Sequence, residues 1–470
     1  MRKSFKNLSW LVLSDGISKI TRFCYILLLS SSLAVSGFGI YSYLVAFVEL
    51  FLVLYDLGFN LGSLKQVASN PQSETVFIKT VCRFKLLAVI LCSSLIIFVS
   101  FLIGDERNIQ FLLIIYLVGY SIRSFSMLFQ SLAIAHQRLK TLSMLSILEN
   151  ILLISGSFLV YQIAPKLENY FYYSTSLSIL MFFLWFYFGF FRHRVKLDSK
   201  TVIDLNIKDI FKMSLPFFLI MLFTNIYFKI DFTMLNHMKG STEVGLYSVG
   251  YRFFMLIMTI PWILNRNILL PKIIKEKSNT SDFATDYFPL YFRITTIVAI
   301  GICFIVSFSS TQLLIFIFGD RYGSGGLPLS IVIWSILFCT LNAYINNILI
   351  DRSPKYLAVI TGTILVPTNI LLNIPLITHF GAAGAATSTV VTEGMGLVAA
   401  FLICKRIGVI LNFDIIKGIV LPLTSLFVVI ILMIIIGNDY AVIPLFILYF
   451  LIIFMTGGFK GVPLGKIIGR

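Results

Sequence analysis

The sequence predicts an all-α polytopic membrane protein: about 14 transmembrane helices, as two parallel six-helix lobes related by a pseudo-two-fold along the membrane normal, plus two C-terminal helices. Three observations predict it. Residues are 58% hydrophobic and 12% charged, with a mean hydropathy of +0.94. A soluble chain carries about 25% charged residues, whereas here runs of about 20 apolar residues, enough to span a bilayer, recur along nearly the whole length. Second, Lys and Arg collect at alternate ends of these runs. Third, short segments of the first half return in order in the second.

Taken in order, span 1 (8–32) is "LSWLVLSDGISKITRFCYILLLSSSL", apolar at both ends and charged in its middle. Span 2 (38–63) opens on "FGIYSYLVAF" and closes on "DLGFNLG", whose GFNLG (58–62) is a small-xxx-small pattern suited to packing. Spans 3 (80–103), 4 (109–135) and 5 (141–163) follow. Span 6 (168–191) lies in the aromatic run "ENYFYYSTSLSILMFFLWFYFGFF", read as a lipid-facing and interfacial belt. The longest inner connection is 192–212. There Ile203, Ile207, Ile210 and Phe211 share a helical face away from Asp204, Lys208 and Lys212, which predicts a helix lying in the interface. Spans 7 (209–236), 8 (243–270), 9 (288–318), 10 (327–350), 11 (355–378) and 12 (381–404) form a second set of six. Spans 13 (414–436) and 14 (440–457) are hydrophobic enough to stand alone. The expected division is 1–191 as N-lobe, 192–212 as connection, 213–404 as C-lobe, and 405–470 as two further spans with a cytoplasmic tail.

An even number of spans puts both termini on one side. That side holds 27 Lys and Arg, against 4 (Arg107, Lys166, Lys239 and Arg321) in the opposite loops. The bias makes the terminus side cytoplasmic and accounts for the net charge of +16 without nucleic acid. Counted at the cytoplasmic ends are Arg83, Lys85 and Arg293. The six Cys fall in or beside apolar runs and the four His are scattered, so neither a disulfide framework nor a metal site is expected. "MRKSFK" resembles the start of a signal peptide, but Asp15 interrupts the apolar core too early for a cleaved one.

The halves echo each other. "FGIYSYLVAF" (38–47) matches "VGLYSVGYRF" (244–253), and "FLIGDER" (101–107) matches "FIFGDRY" (316–322). "AHQRLKTLS" and "LIDRSPKYL" continue the series. The offset covers six spans, so the repeats share one membrane orientation, the pattern of two lobes about an axis along the membrane normal.

Charges within the spans are the candidate site. The cations are Lys19, Arg22, Arg123, Lys229, Arg252 and Arg266; the acids are Asp15, Glu49, Asp56, Glu149, Asp231 and Glu393. Each costs about 2.5–3.5 kcal/mol at a helix centre on insertion scales. Arg266 and Lys229 suit snorkelling near helix ends. Asp15, Lys19 and Arg22 are spaced i, i+4, i+7 and share one face, as do Glu49 and Asp56. Arg22 and Glu49 lie about 21–22 Å from the inner end, and Lys19 and Asp56 about 12–16 Å. Spans 1 and 2 are therefore expected to meet charge against charge, either as a structural ladder or with the cations facing a wet cavity. Arg123 shares a face with Tyr116, Tyr120 and Gln130, and Glu149 lies at a depth to partner it. Asn225 and Lys229 share a face of span 7. Glu393, among the small residues of "GAAGAATSTVVTEGMG", is a candidate proton or sodium site.

No G-x-x-x-x-G-K-[ST] loop is present, and no sizeable extramembrane loop carries a catalytic set. The reading is a transporter rather than an enzyme, with no cofactor beyond H+ or Na+ coupling.

The stretch from "SLPFFLIMLFTNIYFKIDFTMLNHMKGSTEVGLYSVGYRF" to "LLPKI" resembles the middle of Wzx-type polysaccharide flippases, carrying Asp231, Glu243 to Ser248, Pro261 and Pro271. "DLGFN", "IFGDRYGSGGLPLSIVIWSIL" and "GAAGAATSTVVTEG" extend the resemblance over nearly the whole chain. The family belongs to the multidrug/oligosaccharidyl-lipid/polysaccharide (MOP) exporter superfamily. The resemblance implies two lobes around a central cavity with alternating access in a bacterial inner membrane. The implied substrate is an undecaprenyl-diphosphate-linked oligosaccharide, flipped to the periplasmic leaflet for O-antigen or lipopolysaccharide biosynthesis. The implied partners are that lipid, membrane lipids and the polysaccharide polymerase and chain-length machinery. Lys19, Arg22 and Arg252 match positions where relatives place cavity cations. The sequence departs from the pattern after D-L-G, with Lys65 and Gln66 where relatives often have Arg. A multidrug antiporter or a lipid II flippase of the same superfamily stays open, although an antiporter cavity should be acidic and here six span cations balance six acids.

Overall fold

The computed structural model describes residues 2–56, 74–191, 207–265, 269–270, 287–352, 356, 359–409, 411, 416–436 and 441–458. The described residues contain helices and turns and no strand. They pack as two compact units, Met1–Thr233 and Met234–Arg470.

The first unit contains α1 (Arg2–Ser32), α2 (Val35–Leu50), α3 (Leu52–Asp56), α4 (Glu74–Leu102), α5 (Arg107–Ala135), α6 (Leu139–Ile163), α7 (Leu167–Trp185, continued by a wider turn at Phe186–Phe190) and most of α8 (Ile207–Lys239). In lipid, helices gain no hydrophobic drive from association, so close packing and hydrogen bonds hold them. Small residues supply both. Ser14 Oγ donates to Ser143 Oγ at 3.3 Å, and Asn150 Nδ2 donates to Ser18 Oγ at 2.7 Å, fastening α1 along α6. Gly119 lets α5 approach α7 so closely that a Cβ there would come within 2.6 Å of Thr175 Oγ1. That hydroxyl donates to the Ile115 carbonyl at 3.1 Å. Gly156 gives α6 the same access to the Tyr173 ring of α7.

The aromatic run of α7 divides into two stripes. Tyr172, Phe183, Tyr187 and Phe191 are exposed as a lipid belt requires. Tyr170, Phe171 and Trp185 are buried, Trp185 among Leu128, Phe129 and Leu132, so the belt reading holds for one face only.

The second unit contains α9 (Ser241–Leu264), α10 (Phe288–Phe318), α11 (Gly326–Val332), α12 (Ser335–Arg352), α13 (Val366–Arg406), α14 (Leu421–Ile436) and α15 (Val442–Met455). α13 folds back on itself at Gly381 (φ 55°, ψ −129°), a conformation L side chains rarely adopt. Its arms approach at Gly384, where a Cβ would strike the Leu376 carbonyl. Ser388 Oγ donates across them to the Asn369 carbonyl at 3.2 Å. Glu243, at the start of α9, caps the corner, accepting from the Ala382 N–H at 2.8 Å. The last two helices pack on α10 through Ile297, Phe304, Val429 and Tyr449. Tyr449 donates to the Ile297 carbonyl at 3.0 Å.

The sequence echoes take a common local form. Gly104 (φ 79°) and Gly319 (φ 92°) each precede an Asp in a left-handed turn. In the first unit, Tyr43 donates to the Asp105 carboxylate (2.8 Å to Oδ2), and Ser100 joins it at 2.6 Å. "FGIYSYLVAF" is thereby tied to "FLIGDER". In the second unit Gly325, just past "FIFGDRY", packs on "VGLYSVGYRF", where a Cβ would lie 2.9 Å from the Leu246 carbonyl.

Among the described residues, 8 helices are long and apolar enough to cross a membrane, or 9 with the pair Asp320–Val332 and Ser335–Arg352, bent by 44°. Val35–Leu50 and Val442–Met455 are shorter apolar helices. This is an all-α, multi-pass membrane protein. Two expectations change. The interfacial helix falls partly on residues outside the described ones, and from Ile207 onward the chain is already the continuous helix α8. Lys85, counted with the cytoplasmic-end charges, is 0% exposed within α4, and Arg293 is buried within α10. GFNLG and Arg266 lie outside the described residues.

Candidate functional site

The site starts with the two faces of α1. Ser14 and Ser18, one turn apart, are committed to α6. A rotation of about 100° per residue then carries Asp15, Lys19 and Arg22 onto the adjoining face, where Asp15 and Arg22 are exposed. The expected ladder between spans 1 and 2 does not form, because α1 packs along α6 and makes little contact with α2. Lys19 Nζ instead pairs within its own helix, with Asp15 Oδ2 at 3.0 Å.

The acids of span 2 are taken elsewhere. Glu49 Oε2 on α2 pairs with Lys229 Nζ on α8 at 2.6 Å, both side chains partly buried. Lys229 is therefore an ion-pair partner within the unit rather than a snorkelling end charge. Asp56 Oδ1 on α3 pairs with Lys85 Nζ on α4 at 3.5 Å, the lysine side chain 1% exposed. Arg123 Nη2 on α5 meets Glu149 Oε1 on α6 at 3.1 Å, the pair that their depths allowed.

Arg22 is left over. It lies within electrostatic range of Arg123, Glu149, Glu49 and Asp15, yet among the described residues it makes no ion pair or hydrogen bond. Among the described residues Lys19, Arg123 and Lys229 are each paired, with Asp15, Glu149 and Glu49, and Arg22 is the cation of the four without an ion pair. The cation that acts on it most strongly is a second guanidinium, Arg123. Two guanidiniums side by side repel, and an anion presenting several oxygens to both relieves the repulsion. Arginine's planar fork of donors matches phosphate geometry.

An aromatic ladder runs beside the charges. Ring centroids step from Tyr25 to Tyr41 (6.3 Å), Phe171 (5.6 Å), Tyr116 (5.4 Å), Tyr120 (6.1 Å) and Tyr55 (5.8 Å). Tyr116, Tyr120 and Arg123 follow i, i+4, i+7 on α5, so one helix face supplies rings and a cation together. Tyrosine offers an apolar face and a hydrogen-bonding hydroxyl, the two kinds of surface that a sugar ring also presents.

The remaining candidates are Asp231 in the first unit and Arg252 and Glu393 in the second. Asp231 is buried on α8. Arg252 is partly buried on α9. Glu393, 5% exposed on α13, is held by α12: Asn342 Nδ2 donates to its Oε2 at 3.0 Å and to its backbone carbonyl at 3.2 Å, with Cys339 alongside. Around that arm lies a polar network that sequence reasoning missed. Asn373 Nδ2 donates to Asn369 Oδ1 at 3.0 Å, next to Ser388. The signal for it was present, because Asn369 and Asn373 are spaced i, i+4 in an apolar helix. Lys85 was missed for another reason: it sits near the predicted end of a span, where a lysine is ordinary.

Residues 4–275 match the family described as Polysaccharide biosynthesis protein. No curated protein sequence matches the chain. Among solved structures, the lipid II flippase MurJ in an inward closed conformation superposes with a TM-score of 0.75 at 16% identity, covering 98% of this chain and 99% of that one. A multidrug resistance MATE family transporter of the MOP superfamily, inward-facing, gives 0.67 at 14% identity, over 85% of this chain and 98% of that one. An outward-facing conformation of a multidrug resistance MATE family transporter gives 0.56 at 15% identity, over 86% of this chain and 96% of that one.

Proposed function

The chain belongs to the polysaccharide biosynthesis protein family, with the fold of MOP-superfamily transporters rather than of enzymes, and from that premise we propose that it moves a lipid-linked glycan across the membrane by alternating access. The observation that carries this reading is Arg22: an exposed guanidinium without an ion pair among the described residues, within electrostatic range of Arg123, on a helix that spends its neighbouring charges on each other. A diphosphate must cross a medium that rejects charge. A surplus cation beside a paired one offsets its desolvation, and the adjacent tyrosines suit the sugars.

The finer reading is an undecaprenyl-diphosphate-linked oligosaccharide repeat unit, taken from the cytoplasmic to the periplasmic leaflet of a bacterial inner membrane. Fourteen crossings with both termini cytoplasmic accompany it, and the family match supports it. A second reading, lipid II, is favoured by the likeness to MurJ over 98% of the chain. The two share the polyprenyl diphosphate and differ in the glycan. Turnover draws on an ion gradient, the membrane potential or product removal, with Asp231 and Glu393 as the proposed coupling acids.

Deletion of the gene tests the reading. The oligosaccharide reading expects loss of surface polysaccharide with growth and cell shape intact. Arrested peptidoglycan synthesis would favour lipid II instead. Intact glycans with lost drug resistance would overturn both in favour of an antiporter.

A further inference from the structure

Among the described residues, three ion pairs join helices of the first unit, and they differ in how far they are sealed. In Lys85–Asp56 the lysine side chain is 1% exposed. In Lys229–Glu49 both side chains are half-buried. In Arg123–Glu149 the arginine side chain is 44% exposed and the glutamate 19%. Arg123 stands near the middle of α5, at a depth where a charge turned to lipid is costly, so the open side of this pair faces water. Arg22 lies within electrostatic range of both members.

The backbone beneath Glu149 is fixed while its side chain is not. Asn150, the next residue, is buried, and its Nδ2 donates to Ser18 Oγ at 2.7 Å and to the Ser146 carbonyl at 2.6 Å. These bonds pin α6 against α1. Glu149 itself reaches Arg123 on a flexible stem, with Nη2 to Oε1 at 3.1 Å. A sealed pair such as Lys85–Asp56 holds helices together; an open pair on a flexible stem is exchangeable.

We infer that Glu149 is a tethered counter-anion, displaced from Arg123 by the substrate's diphosphate and returning to Arg123 as the diphosphate leaves. The inference rests on the reading of this unit as a polyprenyl-diphosphate site and adds a positioning residue to it. A guanidinium receives carboxylate and phosphate oxygens with the same fork of donors, so either anion satisfies Arg123. Arg22 offers the first hold, and Arg123 joins it when Glu149 swings off to the water side. A tethered competitor is present at an effective concentration set by its stem and not by supply. It therefore weakens diphosphate binding and speeds release, and a carrier must let go in the second leaflet.

Binding and transfer measured together test it. The purified full chain is titrated with undecaprenyl diphosphate, the part common to both glycan readings, with affinity followed by microscale thermophoresis. Transfer is followed in sealed vesicles with a fluorescent undecaprenyl-diphosphate oligosaccharide. Glu149→Gln is expected to bind at least fivefold more tightly than the unaltered protein and to transfer at least threefold more slowly, whereas a merely structural loss would lower both. In an Arg123→Gln background the same substitution should change affinity less than twofold, because the carboxylate acts through that guanidinium. Glu149→Asp, with the charge on a shorter stem, should bind at least twofold more tightly and decides the matter if Glu149→Gln does not fold. Unchanged or weaker binding by the folded variant overturns the proposal. So does an equal gain with and without Arg123, which makes the carboxylate a general source of repulsion. Failure of the unaltered chain to bind undecaprenyl diphosphate overturns the reading of the site itself, so the two failures are told apart.

Discussion

Arg22→Ala is expected to cut surface polysaccharide at least tenfold at unchanged protein level in the membrane. The side chain carries the unmatched positive charge of the α1 cluster, and its removal leaves Lys19–Asp15, Arg123–Glu149 and Lys229–Glu49 in place. Folding is therefore little affected, while a substrate diphosphate loses charge-assisted hydrogen bonds worth about 1.5–3 kcal/mol, or about 10- to 150-fold in affinity. Arg22→Lys should recover part of the activity, since a lysine keeps the charge and loses the fork. Lys19→Ala serves as the contrast. Lys19 is half-exposed and already held by Asp15 one turn away, a pair worth about 0.3–0.5 kcal/mol, so its loss should be mild. Quantitative glycan staining beside an immunoblot of the membrane fraction checks all three. Normal polysaccharide in Arg22→Ala at normal protein level removes Arg22 from the site.

Asp56→Asn is expected to have the largest effect on stability. Lys85 is fully buried in α4, with its Nζ 3.5 Å from Asp56. Neutralising the acid removes this ion pair from a desolvated ammonium, and breaking a buried pair from one side costs about 3–5 kcal/mol. The solubilised variant should melt well below the unaltered protein in a thermal fluorescence size-exclusion assay and reach the membrane in smaller amount. Replacing both charges, as Asp56→Asn with Lys85→Met, should restore most of the loss, because a thioether of similar length can lie in lipid or protein without a partner. Equal melting of Asp56→Asn and the unaltered chain would show that the pair holds nothing together.

These two residues illustrate what the sequence made legible. Helix positions follow from apolar run length, which lipid enforces directly. The repeats were readable because Gly104–Asp105 and Gly319–Asp320 need glycine at the same left-handed corner. Arg123 and Glu149 were paired correctly because depth alone relates them on neighbouring helices. Depth failed for α1 and α2, since it says nothing of which helices adjoin. Adjacency was set by Ser14, Ser18, Ser143 and Asn150, small polar residues whose role is invisible until their partners 129 and 132 positions away are known. Misplaced adjacency assigned Glu49 and Asp56 to span 1 rather than to Lys229 and Lys85. The Glu243 cap on Ala382 was hidden likewise, being a contact between segments 139 residues apart.

The central claim is that a polyprenyl-diphosphate-linked glycan moves between leaflets by way of Arg22. Its most direct measurement uses sealed vesicles containing the purified chain and a fluorescent undecaprenyl-diphosphate oligosaccharide confined to one leaflet, with label access followed by an impermeant quencher. The unaltered protein should transfer the label many times faster than protein-free vesicles, and Arg22→Ala should fall at least tenfold below it. Equal transfer by Arg22→Ala, or no transfer by the unaltered protein while a cationic drug is moved, would contradict the account.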